Sequence, residues 1–269
     1  MSQRLTDTFA RLRGAASPGL VTYVTAGDPG YARSAEILRA LDRAGADVIE
    51  LGVPFSEPLA DGPVIQRATE RALAKGMTLS RTLDLVAELR SEVKAPIVLF
   101  TYANPIYRLG FEAFVRRAAD AGVDGVLTLD LPVEEAGPLQ TRLSAAGIAT
   151  IFLVSPTTTD ARMRQAGVLG SGFLYGISRL GVTGVRNDVA TGAEALAARM
   201  RRESPLPVAL GFGLSRPEHV REVSRFADAA VVGSALVDVI AKAGDTPGVA
   251  ADVERFVRWL KGEAGVAHG

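Results

Sequence analysis

The sequence predicts an α/β fold, a single (β/α)₈ TIM barrel with an extra N-terminal helix and a short extra helix after strand 8. Eight short runs rich in β-branched and aromatic residues alternate with amphipathic helical segments along the 269 residues. No linker or shift in composition divides them, so we expect residues 1–269 to form one domain. Strands that alternate with helices form parallel sheets, and eight such units suit a closed barrel better than an open sheet.

A lead-in helix is expected within residues 1–17. Leu5, Phe9 and Leu12 recur there at helical spacing. We expect this helix to cap the N-terminal face of the barrel. At the other end, residues 263–269 are predicted to form a disordered tail, because chain ends order poorly unless they are tied down.

The predicted strands are apolar runs, as expected where both faces of a parallel sheet are buried. They are residues 20–25, 47–50, 97–102, 125–129, 149–154, 173–177, 207–212 and 229–232. Apolar residues three or four positions apart predict the helices between them. These are residues 34–44, 64–75, 79–93, 111–121, 133–146, 160–167, 192–202, 216–226, 235–242 and 249–261. Residues 235–242 are the short extra helix.

Composition narrows the function. Acidic and basic residues balance at 30 each, so no charged field would attract nucleic acid or an anionic membrane. There is no cysteine, and His219 and His268 are the two histidines, which argues against a thiolate nucleophile, a zinc site or a Ser-His-Asp triad. No apolar run reaches the ~18 residues of a membrane span. Because a signal-peptide pattern is also lacking, we expect a soluble, cytoplasmic protein.

The strongest candidates for catalysis lie in residues 50–63. Glu50 is predicted at the C-terminal tip of the second strand, where barrels of this kind carry their chemistry. Prolines and glycines stiffen the loop that follows, and Asp61 stands near its end. The two carboxylates make a plausible acid/base pair. A salt-bridged, structural Glu50 is the alternative.

An apolar collar is expected around Glu50 from residues at the strand ends. Burial in such surroundings disfavours the charged form of a carboxyl and moves its pKa toward neutrality, as a general acid requires. The collar residues are Tyr23, Phe100, Tyr102, Leu127, Leu153, Tyr175 and Phe212.

Glycine clusters follow each of the last three predicted strands. They occupy residues 181–184, 211–215 and 233–234. Glycines let backbone N–H groups approach an anion, and the start of a helix at Ser234 adds a favourable partial charge. We therefore predict a phosphate site, since loops after strands 7 and 8 commonly hold one. Ordinary turn glycines are the alternative for each cluster taken alone.

The segment after strand 6, residues 178–192, is long, polar and rich in glycine. Loops of that length in compact domains are usually functional, so we predict an active-site lid. Disordered filler is the alternative.

Several of these motifs resemble one known family. The run Glu-Leu-Gly-Val-Pro-Phe-Ser at residues 50–56, with Pro-Leu-Ala-Asp-Gly-Pro at 58–63, is similar to the signature of the tryptophan synthase alpha subunit family. Further motifs of that family are resembled in the same order along essentially the whole chain. They are residues 25–29, 102–105, 130–135, 181–184 and 211–213.

This resemblance implies a lyase of tryptophan biosynthesis that splits indole-3-glycerol phosphate into indole and D-glyceraldehyde 3-phosphate. The family uses no metal and no organic cofactor. Its partner is the tryptophan synthase beta subunit, which receives the indole within an alpha2beta2 heterotetramer. The resemblance also implies that loop 55–62 and the predicted lid couple the two subunits.

The resemblance assigns roles to individual residues. Glu50 would protonate carbon C3 of the indole, and Asp61 would take up or stabilise the proton at the indole nitrogen. Thr183 on the lid would help to place Asp61 and, with Tyr175, flank the substrate. The indole pocket would be lined by Tyr23, Phe100, Tyr102, Leu127, Leu153 and Phe212. The phosphate would lie on the backbone of Gly184, Gly213, Gly233 and Ser234.

Two positions depart from the family pattern. Residue 57 is Glu where the family usually has Asp, which keeps the charge but changes its reach toward the partner subunit. Gly176 replaces a larger residue beside the lid.

Two other functions stay open. The glycine clusters alone would also suit a phosphosugar isomerase on the same barrel, although such an enzyme would place its acid and base on different strands. A non-catalytic activator that only binds the beta subunit is the other alternative. The presence of both Glu50 and Asp61 argues against it.

Overall fold

A computed structural model describes residues 2–13, 19–177, 186–211 and 213–263, in which eight strands form one closed parallel barrel. The strands are β1 (Gly19–Thr25), β2 (Val48–Gly52), β3 (Ile97–Thr101), β4 (Gly125–Thr128), β5 (Ala149–Val154), β6 (Leu174–Ile177), β7 (Val208–Gly211) and β8 (Ala229–Val232). Each strand pairs with the next one in the chain, and β8 closes the barrel on β1. The predicted fold class is thereby confirmed.

Helices precede, separate and follow the strands. They are α1 (Gln3–Arg13), α2 (Tyr31–Arg43), α3 (Pro63–Ala74), α4 (Leu79–Leu89), α5 (Ala103–Leu109), α6 (Phe111–Ala121), α7 (Gly137–Ala145), α8 (Asp160–Leu169), α9 (Arg186–Glu203), α10 (Pro217–Val223), α11 (Ser234–Ala243) and α12 (Val249–Leu260). The extra helix α11 after β8 agrees with the prediction. In the described part of the chain, no helix is long and apolar enough to cross a membrane.

Helix α5 was not predicted, because Asn104 and Pro105 suggest a turn. Proline is tolerated in the first turn of a helix, where its missing N–H has no partner to lose. The carboxylate of Asp130 accepts a hydrogen bond from the N–H of Ala103 at 2.7 Å and so satisfies the start of the helix.

The start of α9 changes the extent of the predicted lid. Residues 186–192 belong to this helix and are not loop, so that part of the prediction for residues 178–192 is wrong. The helix runs through Gly192, which costs about 1 kcal/mol relative to alanine but does not end a helix. Residues 178–185 lie outside the described residues.

Helix α1 closes one end of the barrel, as expected. Its residues Leu5, Phe9 and Leu12 are buried in the cluster that fills the barrel interior. The ring of Phe9 lies 5.2 Å from the ring of Phe173, measured between centroids. A second apolar layer fills the space between the strands and the outer helices. The opposite, C-terminal end of the barrel is left for a site.

The same interaction occurs three times at the end of the barrel that α1 closes, at Asp47, Asp124 and Asp228. Their side chains are almost fully buried. Each stands just before a strand, and each accepts a hydrogen bond from a backbone N–H at the start of the preceding strand. The donors are Leu20 at 2.9 Å, Ile97 at 2.9 Å and Val208 at 2.7 Å, respectively.

The same carboxylates fasten α1 to the barrel. Each forms an ion pair with one arginine of that helix and with one cation from elsewhere. The pairs are Asp47 with Arg11 and Lys261, Asp124 with Arg4 and Arg90, and Asp228 with Arg13 and Arg201. The repeated use of aspartate suits this position, because its short side chain reaches a backbone N–H and a cation together.

We predict that Asp124→Ala lowers the free energy of unfolding by about 3 kcal/mol, because the buried N–H of Ile97 loses its acceptor and the mostly buried Arg90 loses its carboxylate partner. Urea unfolding followed by circular dichroism measures this loss. Asp84→Ala is the control, since it breaks an exposed pair with Arg117 that is expected to matter little. Equal losses in the two variants would contradict the structural role given to Asp124.

Candidate active site

Glu50 lies inside the barrel and not at a strand tip, so the predicted position is wrong by two residues. Strand β2 continues through Leu51 to Gly52, because Gly52 pairs with Thr25 of β1 and with Phe100 of β3. The glycine before a proline-rich loop suggested an earlier end, but pairing to two neighbouring strands extends the ladder. Glu50 is consequently held on rigid backbone, in register with Tyr23.

The carboxyl group of Glu50 is fully buried. Neither of its oxygens has a hydrogen-bond partner among the described residues. Burial disfavours the charged form and raises the pKa of Glu50 to about 8. The group therefore holds its proton at neutral pH, in the direction expected from an apolar collar.

Glycines at positions 52 and 211 make room for two tyrosine hydroxyls. A Cβ atom at position 52 would lie 2.2 Å from Oη of Tyr23, and one at position 211 would lie 2.7 Å from Oη of Tyr175. Burial raises the pKa of both phenols, and the nearby Glu50 charge adds to this effect. Both tyrosines therefore stay protonated, and they surround Glu50 with aromatic rings.

Asp61 lies on the loop after β2 and is partly buried. Its Oδ2 accepts a hydrogen bond from Oη of Tyr102 at 3.0 Å, and its backbone carbonyl accepts one from Nε2 of Gln66 at 2.9 Å. Burial raises the pKa of Asp61, while the hydrogen bond from Tyr102 acts in the opposite direction. Besides burial, the charges of Asp61 and Glu50 raise the pKa of the Tyr23 hydroxyl.

Most of the predicted pocket residues meet in the barrel interior. Tyr23, Phe100, Leu127 and Tyr175 belong to one buried cluster, and Leu153 packs against it. The rings of Tyr23 and Phe100 meet edge to face at 5.1 Å. The other three predicted pocket residues differ. Tyr102 is buried but engages the loop, and Phe212 and Thr183 lie outside the described residues.

Three of the four predicted phosphate residues, Gly213, Gly233 and Ser234, lie after the adjacent strands β7 and β8. Gly213 is exposed and adopts a positive φ of 65°, a conformation that favours glycine. Gly233 precedes α11, and Ser234 is the first residue of that ten-residue helix. A helix N-terminus and an exposed glycine loop side by side suit an anion. Gly184 lies outside the described residues.

Other polar residues around the barrel mouth hold the backbone in place. Asp28, which follows β1, is buried and accepts two hydrogen bonds of 2.8 Å from Arg71. The N–H of Ser215 donates to Nδ1 of His219 at 3.3 Å, which shapes the loop after Gly213. Sequence reasoning missed Gln66 and this role of His219. The sequence feature that could have indicated them is a polar residue in the first turn of the helix after each loop, α3 for Gln66 and α10 for His219.

The chemistry open to this arrangement is acid/base chemistry on an apolar ring. A protonated carboxyl lies deep in the barrel, a second carboxyl lies on the loop above, and aromatic and aliphatic side chains line the space. The glycine loop after β7 and the helix N-terminus after β8 are suited to an anion. No group of three or more potential metal ligands occurs among the described residues.

Comparisons with known proteins agree with this arrangement. The family model for the tryptophan synthase alpha chain matches residues 9–264. The tryptophan synthase alpha chain of Methylococcus capsulatus is 51% identical over 245 residues, which cover 91% of this chain and 92% of the relative. That of Burkholderia thailandensis is 48% identical over 260 residues, covering 96% of this chain and 95% of the relative.

A solved structure shows the same likeness in three dimensions. The crystal structure of tryptophan synthase subunit alpha from Legionella pneumophila superposes with a TM-score of 0.90 at 34% sequence identity, covering 98% of each chain.

We predict that Glu50→Gln changes how stability depends on pH. In the wild type, stability falls as pH rises from the ordinary pKa of a glutamate toward about 8, because the unfolded chain ionises Glu50 and the folded chain does not. Each pKa unit corresponds to about 1.4 kcal/mol. Urea unfolding at pH 5.5 and pH 9 should therefore show the variant gaining stability relative to wild type at the higher pH.

Glu222→Gln is the matched control for this experiment, since Glu222 is exposed on α10 and meets water whether the chain is folded or not. A Glu50→Gln variant whose stability followed that of the wild type at both pH values would show that Glu50 is not buried in its neutral form.

Proposed function

The chain belongs to the tryptophan synthase alpha chain family, and we propose that it is a carbon–carbon lyase that splits indole-3-glycerol phosphate into indole and D-glyceraldehyde 3-phosphate. The observation that carries this proposal is Glu50, a buried carboxyl without a hydrogen-bond partner among the described residues, whose pKa is raised to about 8. A neutral carboxyl inside an apolar slot is suited to protonate carbon.

The proposed reaction begins when Glu50 protonates C3 of the indole. The ring then carries positive charge that extends to N1. The carboxylate of Asp61 stabilises this charge by accepting a hydrogen bond from the N1–H. The bond from C3 to the glycerol carbon breaks, and its electron pair returns to the ring. The hydroxyl group on that carbon loses its proton, and its oxygen becomes the carbonyl oxygen of the aldehyde. Ionised Glu50 can take this proton back, since its apolar surroundings favour the neutral form.

The binding site is proposed from the same geometry. The indole would lie among Tyr23, Phe100, Leu127, Leu153 and Tyr175, which the structure brings together. Phe212 and Thr183 complete this proposed wall from the sequence alone. The phosphate would lie against the backbone of Gly213, Gly233 and Ser234, with Gly184 added from the sequence.

We also propose that the partner is the beta subunit, which receives the indole. The two subunits would form an alpha2beta2 heterotetramer. Support comes from loop 55–62, where Leu59 is 88% exposed and Glu57 is exposed beside it. A large exposed leucine next to the proposed catalytic Asp61 fits a surface that another subunit covers. Loop 55–62, together with the segment before and at the start of α9, would carry the coupling.

Release of indole from indole-3-glycerol phosphate tests the proposed reaction. We predict that Glu50→Gln lowers kcat by about 10²- to 10⁴-fold, the usual contribution of a general acid. Glu92→Gln is the control. Glu92 follows α4, and the substitution only breaks an exposed ion pair with Arg39. Indole should be measured with and without a beta subunit. If wild type releases none in either case, the lyase assignment is wrong, and activation of the partner alone would indicate the non-catalytic activator.

The pH dependence of kcat/KM should be bell-shaped, because it reports the acid and the base of the free enzyme. Activity needs protonated Glu50, so it is present below about pH 8 and lost as pH rises through that value. It also needs ionised Asp61, whose pKa is raised by burial, so activity is lost on the acid side. Asp61→Asn should remove the acid limb and keep the basic limb. A basic limb that does not respond to the state of Glu50 would contradict the assignment of the acid.

A further inference from the structure

Tyr102 contacts the catalytic loop at three points. Its Oη accepts a hydrogen bond from the N–H of Ala60 at 3.0 Å and donates one to Oδ2 of Asp61 at 3.0 Å. Its ring lies 5.2 Å from the ring of Phe55, at the start of the same loop. One side chain thus meets both ends of loop 55–62.

Tyr102 is itself firmly placed. It follows β3 directly, is buried, and is the residue before the first turn of α5. The next residue, Ala103, is held by the 2.7 Å hydrogen bond to Asp130, which follows β4. Two neighbouring strands of the barrel therefore fix the backbone from which the Tyr102 hydroxyl reaches the loop.

We propose that Tyr102 is a positioning residue whose hydroxyl holds Asp61 where it meets the ring nitrogen of the substrate. This inference rests on the proposed function of Asp61. It differs from the expectation that Tyr102 lines the indole pocket. The ring would suffice for a pocket wall, whereas here the hydroxyl has both a donor and an acceptor on the loop.

The electrostatics support the same role. The hydrogen bond from Tyr102 favours the ionised form of Asp61 and so opposes the increase in pKa that burial causes. Burial, followed by the charge of Asp61, raises the pKa of Tyr102 well above that of a free phenol. Tyr102 therefore remains a donor over the whole working range, and Asp61 is kept both placed and charged.

Tyr102→Phe tests this inference, because it keeps the ring against Phe55 and removes only the hydroxyl. A hydrogen bond to a charged group of this kind corresponds to about tenfold or more in rate. We expect kcat for indole release to fall by about that factor with little change in KM. The acid limb of the pH profile should move to higher pH, which a purely structural defect would not cause.

Two comparisons isolate the effect. Tyr31→Phe is the matched control, since it removes a hydrogen bond between tyrosine and carboxylate, 3.1 Å to Glu88, on the outer helices. It should leave kcat and the pH profile unchanged. In an Asp61→Asn background, Tyr102→Phe should add less than about a twofold loss, because the hydroxyl acts through Asp61.

The outcomes separate this inference from the proposed function. If Asp61→Asn is impaired while Tyr102→Phe keeps wild-type kcat and acid limb, or if the two losses multiply in full, Tyr102 does not position Asp61. If Asp61→Asn itself is fully active, the proposed role of Asp61 fails first. Should Tyr102→Phe unfold, Asp130→Ala provides the second test. This variant keeps the Tyr102 hydroxyl but removes the hydrogen bond that holds the backbone at Ala103. The acid limb of the pH profile should also move to higher pH.

Discussion

The burial of the Glu50 carboxyl, which has no hydrogen-bond partner among the described residues, is the constraint on which the rest of the structure depends. A buried polar group without a partner destabilises a fold, so the remainder must be well satisfied. The closed end of the barrel shows how this is achieved. There, Asp47, Asp124 and Asp228 each receive a backbone N–H and two cations. Buried carboxylates thus stabilise one end of the barrel, and a buried carboxyl is kept protonated nearer the other.

The two proposed catalytic carboxyl groups are supported in different ways. The backbone of Glu50 is fixed by strand pairing on both sides of β2. Asp61 lies on a loop that Tyr102 and Gln66 hold by hydrogen bonds. A rigid acid and a tethered, adjustable base suit a reaction in which the acid acts on carbon and the base responds to a bound ring.

Much of the fold could be predicted because its information is local. Apolar runs, helical spacing and turn residues repeat in order, and they predicted the strands, the lead-in helix α1 and the extra helix α11. The failures came where distant pairing overrides a local signal. Strand β2 extends past Glu50 because Gly52 pairs on two sides, and α5 forms because Asp130 satisfies its first N–H. Helix α9 begins at Arg186, before Gly192, where the sequence suggested that the helix starts.

By itself, the sequence determined the barrel, the family and the choice of Glu50 and Asp61 as candidate acid and base. These follow from periodicity and from motifs that are contiguous in the chain. Only the tertiary structure decided the depth of Glu50, the extent to which burial raises its pKa and the contacts of Tyr102 with loop 55–62. Each of these depends on residues that lie far apart in sequence. Tyr102 is 41 positions from Asp61, and the pairing of β2 with β3 brings its hydroxyl to that carboxylate.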